Sequence, residues 1–229
     1  MPEGSFRGDK ETPKMLSAFC YMLDKYGDRA LWLRWHYRSN SEIIGFSQKH
    51  VYKGEIKPVE SCKEIKLEIR RFPKDMDFLD PNLPVVFLHV KGKEALEKDG
   101  SRFNENEVSA VRKIVSALKG LGVKSEQVGV ITPYRAQRNR IKEVLKDDNL
   151  EVNTVDSFQG REKDVIIFSI TSTEDLDFVD DENRLNVAFT RARRKLIVVG
   201  NSKPISMRKK GTLYEFLKYV EEKNTLFTA

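Results

Sequence analysis

The feature that most constrains the fold is a series of short, almost uninterrupted apolar runs, separated by helix-length amphipathic segments. The strongest run covers residues 165–170, and similar runs cover 84–90, 128–131 and 195–200. Strands have this composition when both faces of their sheet are covered, as in parallel sheets packed between helices. The alternation therefore predicts an α/β fold with a doubly wound, mostly parallel sheet flanked by helices.

Helix signals lie between these runs. Ser39 and Glu42 form a candidate capping box for a helix that reaches about residue 51, and Asn104 is predicted to cap the next helix, with Glu107 as its capping partner and no further role. Asp180 and Asp181 are predicted to cap a later helix. The apolar face predicted for this helix consists of Leu185, Ala188, Phe189 and Ala192.

Two further segments flank the first helix. The apolar run at 31–35 predicts a short strand. The segment 53–83 contains charged residues and several prolines, and it is predicted to be an irregular excursion from the fold.

The composition narrows the class of protein. Two cysteines, Cys20 and Cys62, and three scattered histidines argue against a disulfide framework and against a metal site. No apolar run approaches the roughly 20 residues of a membrane helix, and the polar N-terminus lacks a signal-peptide core. We therefore expect a soluble cytoplasmic or nuclear protein without a membrane partner. The net charge of +6 is compatible with a nucleic-acid partner.

Polar clusters follow the predicted strands, at 36–38, 132–137 and 154–162, and a fourth lies on the helix that carries Arg184 and Arg191. Ligands of doubly wound sheets bind outside the carboxyl ends of the strands. Arginine binds phosphate with two parallel hydrogen bonds, and tyrosine stacks on bases. The arginines also have a purely structural interpretation, because cations near a helix C-terminus stabilise the helix dipole.

One absence limits the chemistry of this chain. The sequence contains no GxxxxGK[ST] phosphate loop and no paired acids after an apolar strand to hold magnesium. It also contains no GxGxxG, which disfavours a Rossmann enzyme. By itself, the chain has poor means of binding ATP phosphates.

Four segments carry a resemblance to a known family. VNTVDSFQGREKDV at 152–165 resembles motif V of superfamily 1 helicases, in the branch of the nonsense-mediated-decay helicase. NRLNVAFTRAR at 183–193 resembles motif VI, and WHYR at 35–38 resembles motif IV. ITPYRAQ at 131–137 is similar to the segment between motifs IV and V. The resemblance covers about residues 31–203 and implies the second RecA-like domain, a P-loop NTPase-type fold without the P-loop.

The resemblance implies a role for several residues at a nucleotide site. Arg38 and Arg191 match the two arginine fingers that reach the γ-phosphate, and Glu162 matches a catalytic position in motif V. The positions that the resemblance assigns to nucleotide binding, or to its coupling with the nucleic-acid groove, are Tyr37, Gly160 and Gln159.

The resemblance also implies partners. Thr132, Pro133, Thr154 and Ser157 match positions that line the groove for single-stranded DNA or RNA. ATP and Mg²⁺ would be held mostly by a first RecA-like domain of the same polypeptide, which this sequence lacks. Residues 1–30 are then expected to be a linker or helix leaving that domain, and 31–229 the second RecA-like domain.

Two functions remain open from the sequence. The first is the C-terminal motor domain of an ATP-dependent DNA or RNA helicase, inactive in isolation. The alternative is a non-enzymatic nucleic-acid-binding or interaction module that kept the fold and lost the motor.

Overall fold

A six-stranded sheet lies at the centre of the fold. The computed structural model describes residues 21–22, 25–29, 31, 33–158 and 160–229. The strands are β1 (Trp35–His36), β2 (Lys57–Pro58), β3 (Val85–His89), β4 (Ala95–Leu96), β5 (Arg102–Phe103), β6 (Val128–Thr132), β7 (Glu151–Thr154), β8 (Lys163–Ser169), β9 (Ala192–Gly200) and β10 (Leu226–Thr228). The sheet has the order β10–β3–β9–β8–β6–β7, and each neighbouring pair is parallel.

The helices lie on both faces of the sheet. They are α1 (Ser41–His50), α2 (Glu105–Gly120), α3 (Arg135–Leu145), α4 (Glu182–Phe189), α5 (Ser202–Arg208) and α6 (Thr212–Glu222). On one face Phe46, Phe189 and Phe216 form an aromatic cluster, with 4.7 Å between the ring centroids of Phe189 and Phe216. On the other face α2 packs Val111 and Ile114 against the sheet. This two-sided core confirms the doubly wound parallel fold.

The chain forms two compact units, Met1–Leu33 and Arg34–Ala229. In the first unit, residues 21–22 and 25–26 are helical and Gly27–Arg29 forms a 3-10 turn. Most of the linker expected at 1–30 lies outside the described residues. None of the described helices is both long enough and apolar enough to span a membrane.

The boundaries predicted for the strand at 31–35 are wrong. The structure places β1 at Trp35–His36, paired in parallel with β2 in a separate two-stranded sheet. Leu31 and Leu33 are highly exposed, and Trp32 lies outside the described residues. An apolar run of this length does not form a buried strand when its side chains have no sheet to pack into.

Two helix boundaries also differ from the prediction. Asn40, rather than Ser39, caps α1, and its Oδ1 accepts a hydrogen bond of 2.9 Å from the Glu42 amide. The helix α4 ends at Phe189, and Ala192 belongs to β9 instead of the helix face. Thr190 is the C-cap of this helix, and its hydroxyl donates to the Asn186 carbonyl at 2.7 Å.

The segment 53–83 contains little regular structure: β2 and two 3-10 turns, Glu60–Glu64 and Asp77–Leu79. It nevertheless contributes Leu67, Phe78 and Leu79 to the core. The buried Lys195 anchors its end, since Nζ donates to the carbonyls of Asp80 at 3.0 Å and Leu83 at 2.6 Å.

Candidate functional site

A cavity of about 520 Å³ lies between the segment after β1 and the C-terminal end of α4. Tyr37 and Arg38 enter it from the first segment, and Asn186 and Arg191 enter it from the second. Residues at positions 38 and 191 are therefore neighbours, although most of the domain separates them in sequence. The other residues that line the cavity are Trp35, His36, Ile44, Tyr52, Ile56, Val187 and Thr190.

Arg38 connects three segments at this cavity. Its Nη1 lies 2.8 Å from Glu162 Oε1, and its Nη2 donates to the Thr190 carbonyl at 3.1 Å. Its Nε is buried and has no hydrogen-bond partner among the described residues. A buried guanidinium donor normally has an acceptor, so this N–H is an unpaired polar group beside the cavity.

Arg191 supplies a second guanidinium. Its Nε donates to the Val187 carbonyl at 3.0 Å, which orients the side chain along the end of α4. Burial lowers the pKa of Arg191, and the nearby positive charge of Arg38 lowers it further. Two cations and the single carboxylate of Glu162 give this cluster a net charge of +1. Such a site favours an anion over a neutral ligand.

The turn that presents Arg38 is stabilised by His36. Its Nε2 accepts a hydrogen bond of 2.9 Å from the Ser39 amide, and burial followed by the charge of Arg38 lowers the pKa of His36. Because Nε2 accepts this hydrogen bond, it carries no proton in this arrangement. Tyr37, next in sequence, is 68% exposed, so its ring is available for stacking.

A polar pair that was not predicted from the sequence lies on the cavity wall. Asn186 Nδ2 donates to the Tyr52 hydroxyl at 2.9 Å, while Asn186 Oδ1 is buried without a partner among the described residues. Nothing in the local sequence pairs these positions, because Tyr52 follows α1 and Asn186 lies within α4.

The segment between β7 and β8 contains the remaining predicted nucleotide residues. Gly160 has φ +83°, a left-handed conformation that favours glycine, and it turns the chain into β8. Gln159, predicted to couple the nucleotide site to the groove, lies outside the described residues. Arg161 forms an ion pair with Glu151, which ties this turn to β7.

The predicted groove residues lie at the carboxyl ends of β6 and β7. The strand register places Thr132 beside Thr154. Thr154 Oγ1 donates to Ser157 Oγ at 3.2 Å, and Ser157 is exposed while Pro133 is half-buried. These residues therefore form one polar edge of the sheet.

Thr132 does not fit the prediction of a direct contact through its side chain. It is completely buried, and its Oγ1 lies 3.2 Å from Thr171 Oγ1. The strand β6 runs between β8 and β7, so the last side chain of β6 points into the fold instead of toward solvent. Thr132 therefore lies beneath this edge, in the interior of the fold.

Glu107 takes part in the predicted cap, because Asn104 Oδ1 accepts from the Glu107 amide and Asn104 Nδ2 donates to Glu107 Oε1, each at 3.3 Å, and it has further partners. Asn104 does cap α2, and Glu107 Oε2 accepts hydrogen bonds from Ser169 Oγ at 2.7 Å and from the Thr171 amide at 2.8 Å. Gln137 Nε2 also donates to Ser169 Oγ, at 2.9 Å. Burial raises the pKa of Glu107 to about 7. Nothing in the capping pattern of the sequence indicated this buried polar network, which lies beneath the groove edge.

The sequence is similar to known proteins over most of its length. A family profile described as an AAA domain matches residues 15–203. An uncharacterised ATP-dependent helicase of Methanocaldococcus jannaschii is 34% identical over 98% of this chain and 34% of its own length. The DNA polymerase alpha-associated DNA helicase A of Saccharomyces cerevisiae is 35% identical over 76% of this chain and 28% of its own.

A third relative is the regulator of nonsense transcripts 1 homolog of Drosophila melanogaster, which is 34% identical over 79% of this chain. That match covers 16% of the fly protein. The chain thus spans about a third or less of the length of these relatives.

Proposed function

The chain belongs to the AAA domain family of superfamily 1 helicases, and from this premise we propose that it is the second motor domain of an ATP-dependent DNA or RNA helicase. One observation supports this function above the others. Arg38 and Arg191 meet at a single cavity, and Arg38 is paired with Glu162. We further propose that residues 1–30 link this domain to a preceding one and that 31–229 form the motor domain.

In this proposal the nucleotide binds between two RecA-like domains of one polypeptide. Arg38 and Arg191 contact the γ-phosphate and stabilise the negative charge that develops on it during transfer. In the described structure Arg38 forms an ion pair with Glu162. A phosphate that binds Arg38 would therefore take the place of the Glu162 carboxylate. Tyr37 stacks on the base, Gly160 and Glu162 border the ribose and phosphates, and Gln159 couples the nucleotide site to the nucleic-acid groove.

Magnesium is assigned to the preceding domain. Among the described residues, no three His, Cys, Asp or Glu side chains are grouped to hold a metal ion. The sequence also lacks the phosphate loop that would place Mg²⁺ beside a nucleotide. This domain would therefore supply the arginines, while its partner supplies the metal and most of the phosphate contacts.

The nucleic-acid partner is proposed to be a single strand, held at the edge formed by Pro133, Thr154 and Ser157. These residues offer hydroxyl groups and a small apolar surface, which suit contacts to the sugar–phosphate backbone rather than readout of bases. The buried Thr132 would position its neighbour Pro133. An intracellular location, cytoplasmic or nuclear, is part of the same proposal.

We expect the 229-residue chain alone to hydrolyse ATP negligibly, because it lacks most ligands of the phosphates. Adding the preceding phosphate-loop domain, either in one polypeptide or in trans, should produce ATP hydrolysis that a single strand stimulates. The measurement is phosphate release with and without an oligonucleotide. Appreciable turnover by the isolated chain would contradict the division of ligands. No turnover in the joined protein would favour the non-enzymatic module.

Binding of the isolated chain to a single-stranded oligonucleotide is expected to be weak and strongly dependent on salt. Contacts to phosphates release counterions, so the logarithm of the affinity should fall linearly with the logarithm of the salt concentration. Fluorescence anisotropy between 50 and 200 mM salt (roughly the range over which such contacts lose most of their affinity) measures this slope. Tight binding that is selective for sequence and insensitive to salt would contradict the proposed edge.

A further inference from the structure

Phe178 is an exposed aromatic residue that the nucleotide site does not use. It lies in the segment between β8 and α4 and is 46% exposed, whereas Leu176 and Val179 beside it are buried in the core. The two buried neighbours anchor the segment. Exposing a large apolar ring from an anchored segment loses the free energy that burial would provide.

The ring of Phe178 is supported by two contacts. Its centroid lies 5.3 Å from that of the buried Tyr134, with an angle of 39° between the ring planes. The Arg184 guanidinium carbon lies 4.5 Å from the Phe178 centroid, within the range of a cation–π interaction. An aromatic ring held in place before a ligand arrives loses little conformational entropy on binding.

The surroundings of Phe178 are continuous with the proposed groove edge. A cavity of about 440 Å³ adjoins the ring and is also bordered by Pro133, Arg135 and Arg102. Arg135 pairs with Asp99 at 3.2 Å in an exposed position, whereas Arg102 is largely buried and forms an ion pair with the buried Glu94. The exposed ion pair of Arg135 is weak, so a phosphate group can replace its carboxylate.

An aromatic ring among arginines, directly beside Pro133, matches the way proteins hold single strands without reading their sequence. We infer that Phe178, with Arg184, forms a stacking platform for one unpaired nucleobase of the bound strand, while Arg135 meets an adjacent phosphate. This inference rests on the proposed function, because it presupposes a strand along the edge that contains Pro133. It adds a base contact to an edge that otherwise offers only backbone contacts.

The test compares oligonucleotides with and without bases. Labelled single-stranded decamers of uridine (RNA) and thymidine (DNA) are each matched with an abasic decamer that has the same phosphates. The wild-type chain should bind the base-containing strand of its preferred type more tightly than the abasic one. Phe178→Ala should weaken binding of that strand by about 5- to 100-fold, since stacking on one base accounts for a change of this size.

Three further comparisons isolate the role of the ring. Binding of the abasic strand should be unchanged in Phe178→Ala, and Phe178→Tyr should bind both strands like the wild type. Met207→Ala is the matched control, because Met207 is an exposed apolar residue outside the proposed edge. Thermal unfolding of each variant verifies that it is folded. Equal affinity of the wild type and Phe178→Ala for the base-containing strand would overturn the inference and leave the proposed function intact.

A second measurement needs no variant. Irradiation of the wild-type chain bound to a 5-iodouracil decamer should produce an adduct on the peptide that contains Phe178, detected by mass spectrometry. Adducts only on other peptides would overturn the inference. If the wild type binds none of the decamers at low salt, then the proposed strand-binding function fails, and the inference fails with it.

Discussion

We expect Arg191→Ala to reduce ATP turnover by about 10³- to 10⁵-fold in a protein that joins this chain to its phosphate-loop domain, the range measured for arginine fingers. The reason is that its guanidinium would face charge that develops only as the γ-phosphate is transferred. The effect should appear in kcat, with the KM for ATP changing much less.

The matched control for this prediction is Arg193→Ala. Arg193 is an exposed arginine in β9, two residues from Arg191, and its guanidinium lies 3.7 Å from Asp164 rather than in the nucleotide cavity. Its removal should leave turnover within about two-fold, because an exposed ion pair contributes little. Turnover by Arg191→Ala within a few-fold of the wild type would refute the finger assignment. A loss of turnover in both variants would point to a folding defect.

The second large effect concerns stability and pH. The pKa of Glu107 rises from an ordinary value of 4.5 to about 7 on folding because the carboxyl group is buried. Between these two pH values the unfolded chain has released the proton and the folded chain retains it. Stability therefore falls as pH rises from 4.5 to 7, and this group should account for about 3 kcal/mol of the decrease.

Glu107→Gln should remove this contribution, because the amide keeps an oxygen acceptor for the Thr171 amide and does not titrate. We expect the difference in unfolding free energy between pH 4.5 and pH 7 to change by about 3 kcal/mol relative to the wild type. Urea denaturation at the two pH values measures it. Histidines also titrate in this window, but their effect is common to both proteins and cancels in the comparison.

The titration of Lys195 contributes little to the measured difference, because the upper pH of the experiment is 7. Burial lowers the pKa of Lys195 to about 7 from 10.5, so its effect appears only above that pH, where stability rises with pH. Glu143→Gln, at an exposed position of α3, should behave like the wild type. The same pH dependence in wild type and Glu107→Gln would show that Glu107 does not titrate differently on folding.

These two predictions concern groups at opposite ends of the central strands: Glu162 and Arg191 precede β8 and β9, and Glu107 contacts the carboxyl end of β8. The arginine cavity joins the segment after β1 to the end of α4, and the Glu107 network lies beneath the ends of β6 and β8. The segment from Thr171 to Arg191 connects them: it begins on the amide that Glu107 binds, carries Phe178 and ends at the second arginine. A motor that couples nucleotide to strand would require a connection of this kind between its sites.

The sequence by itself determined the sheet and its type of core. Runs such as 165–170 and 195–200 are apolar at nearly every position, and only a sheet covered on both faces buries such runs. The Asn104 cap and the end of α2 at Gly120 could also be predicted from the sequence, since capping depends on residues within one turn of each other. The helicase motifs are contiguous, so the family could be inferred before any coordinates.

Only the tertiary structure decided which polar side chains face solvent and which lie beneath the surface. Thr132 and Ser157 look equivalent in sequence, yet Thr132 is buried against Thr171 while Ser157 is exposed. The sequence indicated only a capping role for Glu107, but this residue also binds the end of a strand more than 60 residues away. Contacts of this range arise from how strands are ordered in the sheet, and local propensity and spacing carry no information about that order.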